Sequence, residues 1–306
     1  MSFASECKAE LMTIKRNIIE NKALILGMLV SGAKISENEF TFSSTKVEIA
    51  NYLVFLLNRV YKYKATVLEG DLQSSSFLHK YEVNCQGCLN IIDELEINHF
   101  GAFKQEIKES QNLSCAYLCG AFLARGSVND PETTKYHFEI TLDDTRNALF
   151  VQQIMNNFDL NAKIIRRRNK LVVYIKDAEK IVDVLRMIGA SKNCFHYEDV
   201  RIERDFNNSI NRIINCEVAN EQKTLSAANE QLKYIKYLEY NYPLEKLDPK
   251  ILTVMKVRQD NPEASLLELI EILGRDYGQQ ISKPGLSHRF AKIKELALEH
   301  KKNKES

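Results

Sequence analysis

The sequence predicts an α+β protein: a pseudo-twofold repeat domain with antiparallel sheets, then a long helix, then an all-α carboxy-terminal module. Three observations predict it. An apolar run rich in small residues, Ala116 to Ser127, has a second copy at Ala23 to Ala33. The same succession of alternating and helical segments follows each copy. From Asn207 onward only helical spacing is present, without proline or glycine until Tyr242.

The two runs carry the repeat. Gly120 lies in one and Gly27 in the same place in the other. Glycine inside a helix costs roughly 0.5–1 kcal/mol against alanine. Close packing of two helix backbones justifies it; a buried helix with one tolerated glycine is the other reading. Downstream, Phe40–Val67 aligns with Phe138–Ile165 without a gap, pairing Phe40 with Phe138, Ala50 with Ala148, Asn58 with Asn156 and Val67 with Ile165. An insertion around Asn129–Lys135 accounts for the change of register before it. Two copies make a pseudo-dimeric domain, whereas a solenoid needs three or more.

In chain order, Met1 to Asn21 reads as one amphipathic helix, with Cys7, Leu11, Ile14 and Ile18 at helical spacing. After the first glycine-bearing helix come a strand at Glu39–Ser43 and a helix at Lys46–Tyr61 with Val47, Ala50, Val54, Leu57 and Val60 on one face. Strands at Ala65–Glu69 and Ser76–Asn84 and a helix at Cys88–Leu95 close the first unit. The second unit repeats this: helix Cys115–Ala124, a strand around Tyr136–Thr141, helix Asp144–Phe158, strands Ala162–Arg167 and Lys170–Lys176, and helix Ala178–Ile188. Asp143 or Asp144 is a suitable N-cap. The expected boundaries are residues 1–110 and 111–205 for the two halves of one domain, 206–240 for a connecting helix and 241–306 for the last module.

The length of 306 residues suits two or three domains, and 44% hydrophobic residues suffice for their cores. The net charge of +1 points to no partner, so local charge must. No apolar run is long enough to span a bilayer, and Met1–Glu20 lacks a signal-peptide core. A cytoplasmic protein is expected, without membrane attachment. Seven scattered cysteines fit reduced, mostly buried thiols. Cys85-Gln-Gly-Cys88 has no second CxxC or His pair at zinc spacing. No metal, cofactor or catalytic residue is predicted.

Local charge concentrates in two places. Arg166, Arg167, Arg168 and Lys170 surround Asn169 at a predicted hairpin tip, suited to phosphates or to a solvated turn that resists edge pairing. Residues 281–304 hold seven Lys or Arg against two Glu, a local excess of +5, the footprint wanted for a polyanion. Asn207–Leu238 is predicted as one long helix or two nearly collinear ones, packed on a domain or bridging two. Leu247–Gln259 is a helix with Ile251, Val254, Met255 and Arg258 at its core edge, stopped by Asn261-Pro262. Ser265-Leu-Leu-Glu268 is a capping box opening the next helix, with Gly274 as its stop. Ser282 caps a third helix with Pro284 in its first turn. Leu286, Phe290, Ile293 and Ala297 form its apolar stripe, and Pro284, His288 and Lys292 point away. Three such helices form a helix-turn-helix, whose third helix meets base edges in the major groove. A small helical bundle with a basic tail has nearly the same pattern, and the 274–281 connection is longer than the usual turn.

Leu118-Cys119-Gly120-Ala121-Phe122-Leu123-Ala124-Arg125-Gly126 resembles a degenerate LAGLIDADG motif of homing endonucleases, and Ile25–Ala33 a weaker one. That resemblance implies two helices packed at a pseudo-twofold axis beneath a saddle of sheets. Each motif ends in a metal-binding acid in those enzymes. Gly32 and Arg125 stand at those positions here and cannot bind a hard cation, which takes oxygen ligands. The carboxy-terminal runs Asn211–Asn220 with Lys223 and Ala227-Ala228, Asn261-Pro262-Glu263-Ala264-Ser265-Leu266, and Ile281–Arg289 resemble those of the WhiA family of bacterial regulators. The resemblance covers nearly the whole chain. It implies a DNA-binding transcriptional regulator tied to cell division, chromosome segregation and, in relatives, sporulation, without nuclease activity and associated with the nucleoid. Double-stranded DNA is the expected partner, with a transcription or cell-division protein as a candidate second one. Base readout falls to Ser287, His288 and Lys283, and phosphate contact to Arg289, Lys292 and Lys294. Ser265, Ser282 and Pro284 are grouped with them, as are Arg166, Arg167, Arg168 and Lys170. Two alternatives stay open: a protein-binding scaffold with secondary DNA binding, and an endonuclease with displaced carboxylates such as Asp143 or Asp144.

Overall fold

The computed structural model describes residues 2–70, 80–133 and 135–305. The chain divides into two units, Met1–Asp205 and Phe206–Ser306.

In the first unit, α1 (Phe3–Met12) buries Phe3, Cys7 and Leu11. The predicted single helix to Asn21 is broken after Met12. Asn17 and Glu20 form a capping box there and start α2 (Ile18–Gly32) afresh. The first repeat continues through β1 (Ala33–Ile35), β2 (Glu39–Ser44), α3 (Val47–Tyr61), β3 (Val67–Glu69), β4 (Tyr81–Gln86) and α4 (Leu89–Glu94). Residues 76–79 of the strand expected at Ser76–Asn84 lie outside the described residues. The short helix α5 (Ala102–Glu109) joins the halves, and the second repeat follows as α6 (Gln111–Arg125), β5 (Gly126–Val128), β6 (Phe138–Leu142), α7 (Thr145–Asn156), β7 (Lys163–Arg167), β8 (Lys170–Ile175) and α8 (Ala178–Ile188).

Both sheets have four antiparallel strands in the same order, β1-β2-β4-β3 and β5-β6-β8-β7. Ala33 faces Phe42 in one and Gly126 faces Ile140 in the other. The extra residues of the second copy therefore lie between Val128 and Phe138, as the alignment requires. One predicted equivalence fails: Val67 opposes Val83, and the residue opposing the matching Val173 is Ile164, not Ile165. The slip arises after α3, which runs on to a left-handed cap at Lys62, while α7 stops at Asn156. The short β1, β5 and α5 carried no legible period. In α3 the buried face is Ile49, Ala50, Leu53, Leu56 and Leu57, rotated from the predicted stripe. In α7, Asp144 is the cap and accepts from the Asn147 amide.

The two glycine-bearing helices form the centre of this unit. A Cβ built on Gly27 would lie 2.1 Å from the Tyr117 carbonyl oxygen, and one on Gly120 would lie 2.0 Å from that of Leu24. Each glycine thus admits the other helix's backbone. Both helices are buried almost throughout, and the sheets and outer helices pack around them in one apolar core.

The long helix α9 (Ser191–Asn241) has 51 residues and begins well before the predicted Asn207. Its start is capped from elsewhere in the chain. The Glu10 carboxylate accepts from the Lys192 amide at 2.7 Å, the Asn193 amide at 3.1 Å and Asn193 Nδ2 at 2.6 Å. An acidic acceptor at a helix N-terminus satisfies free amides and meets the positive end of the dipole.

The second unit adds α10 (Pro249–Asp260), α11 (Leu266–Tyr277) and α12 (Lys283–Glu305), with a 3-10 turn at Leu244–Lys246. Its core draws Val254, Met255 and Val257 from α10, Leu269 and Leu273 from α11, and Leu286, Phe290, Ile293 and Ala297 from α12. Ile235 and Leu238 of α9 complete it, so this core reaches back before residue 241. Ile251 is half-buried against this core, at its edge as expected. The Ser265–Glu268 capping box is formed in both directions. Gly274 does not stop α11. It lies on the exposed face within the helix, and the helix runs to Gly278, whose left-handed φ of 61° provides the cap. The connection to α12 therefore shrinks to the five residues Gly278–Ser282.

Gly27→Ala places a methyl against the Tyr117 carbonyl, where backbone cannot yield cheaply. The expected loss of stability is about 3 kcal/mol, measurable as a lower urea midpoint of the full chain. Ser265→Ala removes the acceptor for the Glu268 amide and is expected to cost about 1 kcal/mol, read as a lower unfolding temperature of the second unit. A variant of either kind that unfolds like the parent would contradict these roles.

Candidate nucleic-acid interface

The exposed face of α12 is set by its buried one. Leu286 and Ile293 are 0% and 1% exposed, which fixes the helix's rotation against α10 and α11. The opposite side then presents Lys283, Pro284, Ser287 and His288 to solvent, all exposed. The N-terminus is capped by Ser282, whose hydroxyl accepts from the Gly285 amide at 3.3 Å, and Pro284 sits in the first turn, where its missing N–H is harmless. The first two turns of α12 thus offer a cation, a hydroxyl and an imidazole on one open surface, and all three can donate to base edges or phosphates.

The predicted phosphate contacts are placed less simply. Arg289 is half-buried and donates from Nη1 to Gln279 Oε1 at 2.8 Å, tying α12 to the turn before it. Lys292 pairs with Glu295 at 2.8 Å and Lys294 with Glu230 of α9 at 2.7 Å. The neighbouring carboxylates raise the pKa of both lysines, and both pairs are solvent-exposed. Each ammonium must leave or share its carboxylate to meet a phosphate. Ser265, half-buried at the head of α11, accepts from the Glu268 amide and keeps its hydroxyl proton to donate.

The basic hairpin tip lies at the edge of the second sheet of the other unit. Arg168 turns the chain with a left-handed φ of 55°, and Arg166, Arg167, Arg168 and Lys170 are all exposed. Arg167 reaches Glu139 at 3.4 Å, and Lys170 is ion-paired with Asp143. Arg166 and Arg168 have no ion-pair partner among the described residues.

Gly32 and Arg125 end the two central helices. Gly32 is buried, and an added Cβ would lie 2.5 Å from the Phe42 ring. Arg125 is exposed. Near it, Lys8 has its pKa lowered to about 8 by burial, with further lowering from Arg125 and Lys46. Three cations thus share the neighbourhood of these helix ends. Among the described residues no three His, Cys, Asp or Glu side chains are grouped as a metal would require. Cys85 and Cys88 are both buried and free, and burial pushes the Cys85 thiol up to about 12. Such a thiol is a poor nucleophile and a poor metal ligand at neutral pH. No described helix is long and apolar enough to cross a membrane.

Residues 114–207 match the WhiA LAGLIDADG-like domain and residues 210–297 match the WhiA C-terminal HTH domain. A Staphylococcus aureus (strain JH9) protein named "Probable cell division protein WhiA" is 36% identical over 309 residues, covering 97% of this chain and 96% of its own. Its counterpart from strain Newman matches to the same extent. The crystal structure of full-length DUF199/WhiA from Thermotoga maritima shares the fold, with a TM-score of 0.62 and 22% identity over 98% of this chain and 99% of that one. A structure of the N-terminal LAGLIDADG domain of DUF199/WhiA aligns with 61% of this chain and 90% of its own, at a TM-score of 0.52 and 21% identity.

Proposed function

The chain belongs to the WhiA family, and from that premise we propose that it is a double-stranded DNA-binding regulator of transcription, tied to cell division and chromosome segregation, that cuts no DNA. The observation that carries the reading is the outer face of the first two turns of α12. Its apolar stripe is fully committed to the core, which leaves Lys283, Ser287 and His288 free on the outer face. A recognition helix of a helix-turn-helix uses this N-terminal surface to meet base edges. The local excess of +5 over residues 281–304 supplies the attraction for a polyanion in a chain whose net charge is only +1.

In this reading Ser287, His288 and Lys283 read bases, while Arg289, Lys292 and Lys294 meet phosphates. Arg289 does so from a position fixed by Gln279. The DNA-binding module begins inside α9, because Ile235 and Leu238 belong to its core. The repeat domain adds backbone contacts through Arg166, Arg167, Arg168 and Lys170, or holds a protein. Gly32 and Arg125 support the absence of hydrolysis: neither offers an oxygen ligand, and the nearby Lys8 and Lys46 repel a divalent cation. A role in cell division follows the name borne by the relatives.

The test is competition binding on randomised duplexes. Arg289→Ala is expected to weaken binding at all sequences and to lower the salt slope by about one. Ser287→Ala and His288→Ala are expected to change which sequences win, by about 1–3 kcal/mol of discrimination. Equal losses for all three variants across all sequences would contradict base readout by this helix.

A further inference from the structure

Within the second unit, α9, α10 and the N-termini of α11 and α12 line a cleft of about 540 Å³. Its chemistry is one-sided. Lys223, Thr224 and Gln231 of α9, Arg258 of α10, Ser265 and Lys283 line it, and none of the lining residues is acidic.

Arg258 is the anomaly. It is 1% exposed. Its Nη1 donates to the carbonyls of Asn261 at 3.2 Å and Ala264 at 2.6 Å, and its guanidinium lies over the Phe290 ring, 5.6 Å from the centroid. Yet Nε has no hydrogen-bond partner, and no described carboxylate pairs with it. Burial alone depresses its pKa. A buried cation without a counter-charge is costly to retain, since neither the desolvation nor the free donor is offset. Gln231, beside the same cleft, likewise has a buried Oε1 without a donor. Lys223 and Lys283 are exposed and have no ion pair among the described residues, and the Ser265 hydroxyl has a proton to give. Two helix N-termini add the positive ends of their dipoles. The donors of Arg258, Lys223, Lys283 and Ser265 are short of the same thing, an anionic acceptor, while the Gln231 oxygen is left to accept from a donor.

We propose that this cleft is a phosphate-binding site, and that the phosphate is a backbone phosphodiester of the DNA bound by α11 and α12. The choice of DNA rests on the reading above, which turns the heads of those two helices toward the duplex. It adds a new element to the interface. The stretch Asn220–Gln231 of α9 is a wall of the DNA site, and Lys223 is a DNA contact. Arg258 is a positioning residue: it fixes the Asn261–Ala264 turn that leads into the Ser265 cap and gives the cleft its field. The volume exceeds that of a lone phosphate ion and suits a phosphate with its flanking sugars.

The test uses the full chain and fluorescence anisotropy with unrelated duplexes over a range of KCl concentrations. Lys223→Gln is expected to weaken binding roughly tenfold at 0.1 M salt, equally at every sequence, and to lower the salt slope by about one. Thr224→Glu, which supplies a carboxylate inside the cleft, is expected to weaken binding further with an unchanged unfolding temperature. Ser287→Ala is run beside them. If Lys223→Gln and Thr224→Glu bind like the parent while Ser287→Ala shifts sequence preference, the cleft is not a DNA contact and the helix-turn-helix reading survives. If Ser287→Ala, His288→Ala and Arg289→Ala also change nothing, the helix-turn-helix reading falls, and the DNA assignment of the cleft falls with it. A phosphorus NMR titration with inorganic phosphate and AMP in the absence of DNA separates the two sources. Tight saturable binding that Lys223→Gln abolishes, without any effect on DNA, would overturn the DNA assignment in favour of a small phosphorylated ligand.

Discussion

Two helix backbones touch where Gly27 and Gly120 lack a side chain, and the first unit is arranged around that approach. An added methyl on either glycine would run into the carbonyl of the other helix, so the contact admits no larger residue without moving backbone. Because the glycines oppose one another reciprocally, the contact has internal twofold symmetry, and so does everything built on it. Each helix leads directly into a first strand, each first strand pairs with a second, and each sheet has the same strand order. The symmetry holds although the two helices end differently, at Gly32 and Arg125. The helix interiors and their ends answer to separate demands: Gly27 and Gly120 admit a facing backbone, whereas the ends hold residues as unlike as a buried Gly32 and an exposed Arg125.

Much of this was legible because it depended on local periodicity. Gly120 and its copy at Gly27 exposed the repeat, and the stripe Leu286, Phe290, Ile293 and Ala297 gave the rotation of α12, hence its outward face. What was not legible depended on partners distant in sequence or on competition between stops. Glu10 caps α9 from more than 180 positions away, so nothing near Ser191 announced a helix start. Gly274 carried the signal of a helix end, but the left-handed cap falls on Gly278, one exposed turn beyond the last core residue, Leu273. In α3 the predicted stripe was rotated, since apolar residues occupy more than one face and only the tertiary contacts choose between them. The functional residues divide in the same way. The outward residues of α12 follow from its stripe, whereas the pairing of Lys292 and Lys294, and the charge isolation of Arg258, depend on which helices come together.

The second unit shows how a nearly neutral chain can still hold a strongly cationic surface. Buried Leu286 and Ile293 orient the basic helix, the capped heads of α11 and α12 add their dipoles, and Arg258 holds an uncompensated charge behind them. Carboxylates at Glu230 and Glu295 pair with two of the outer lysines. Such exposed pairs contribute little to stability and exchange readily for phosphates, so the surface is masked without being neutralised. Helix α9 belongs to this surface as much as to the core, since Ile235 and Leu238 face inward while Lys223 faces the cleft.

The most direct test of the account is whether residues 206–306 alone bind duplex DNA. Labelled duplex is titrated with this fragment and with the full chain across a salt series, with circular dichroism confirming that the fragment is helical. The fragment is expected to bind, with an affinity that falls steeply as salt rises. A folded fragment that does not shift the duplex even at low salt, beside a full chain that does, would contradict it and move the DNA site to the repeat domain.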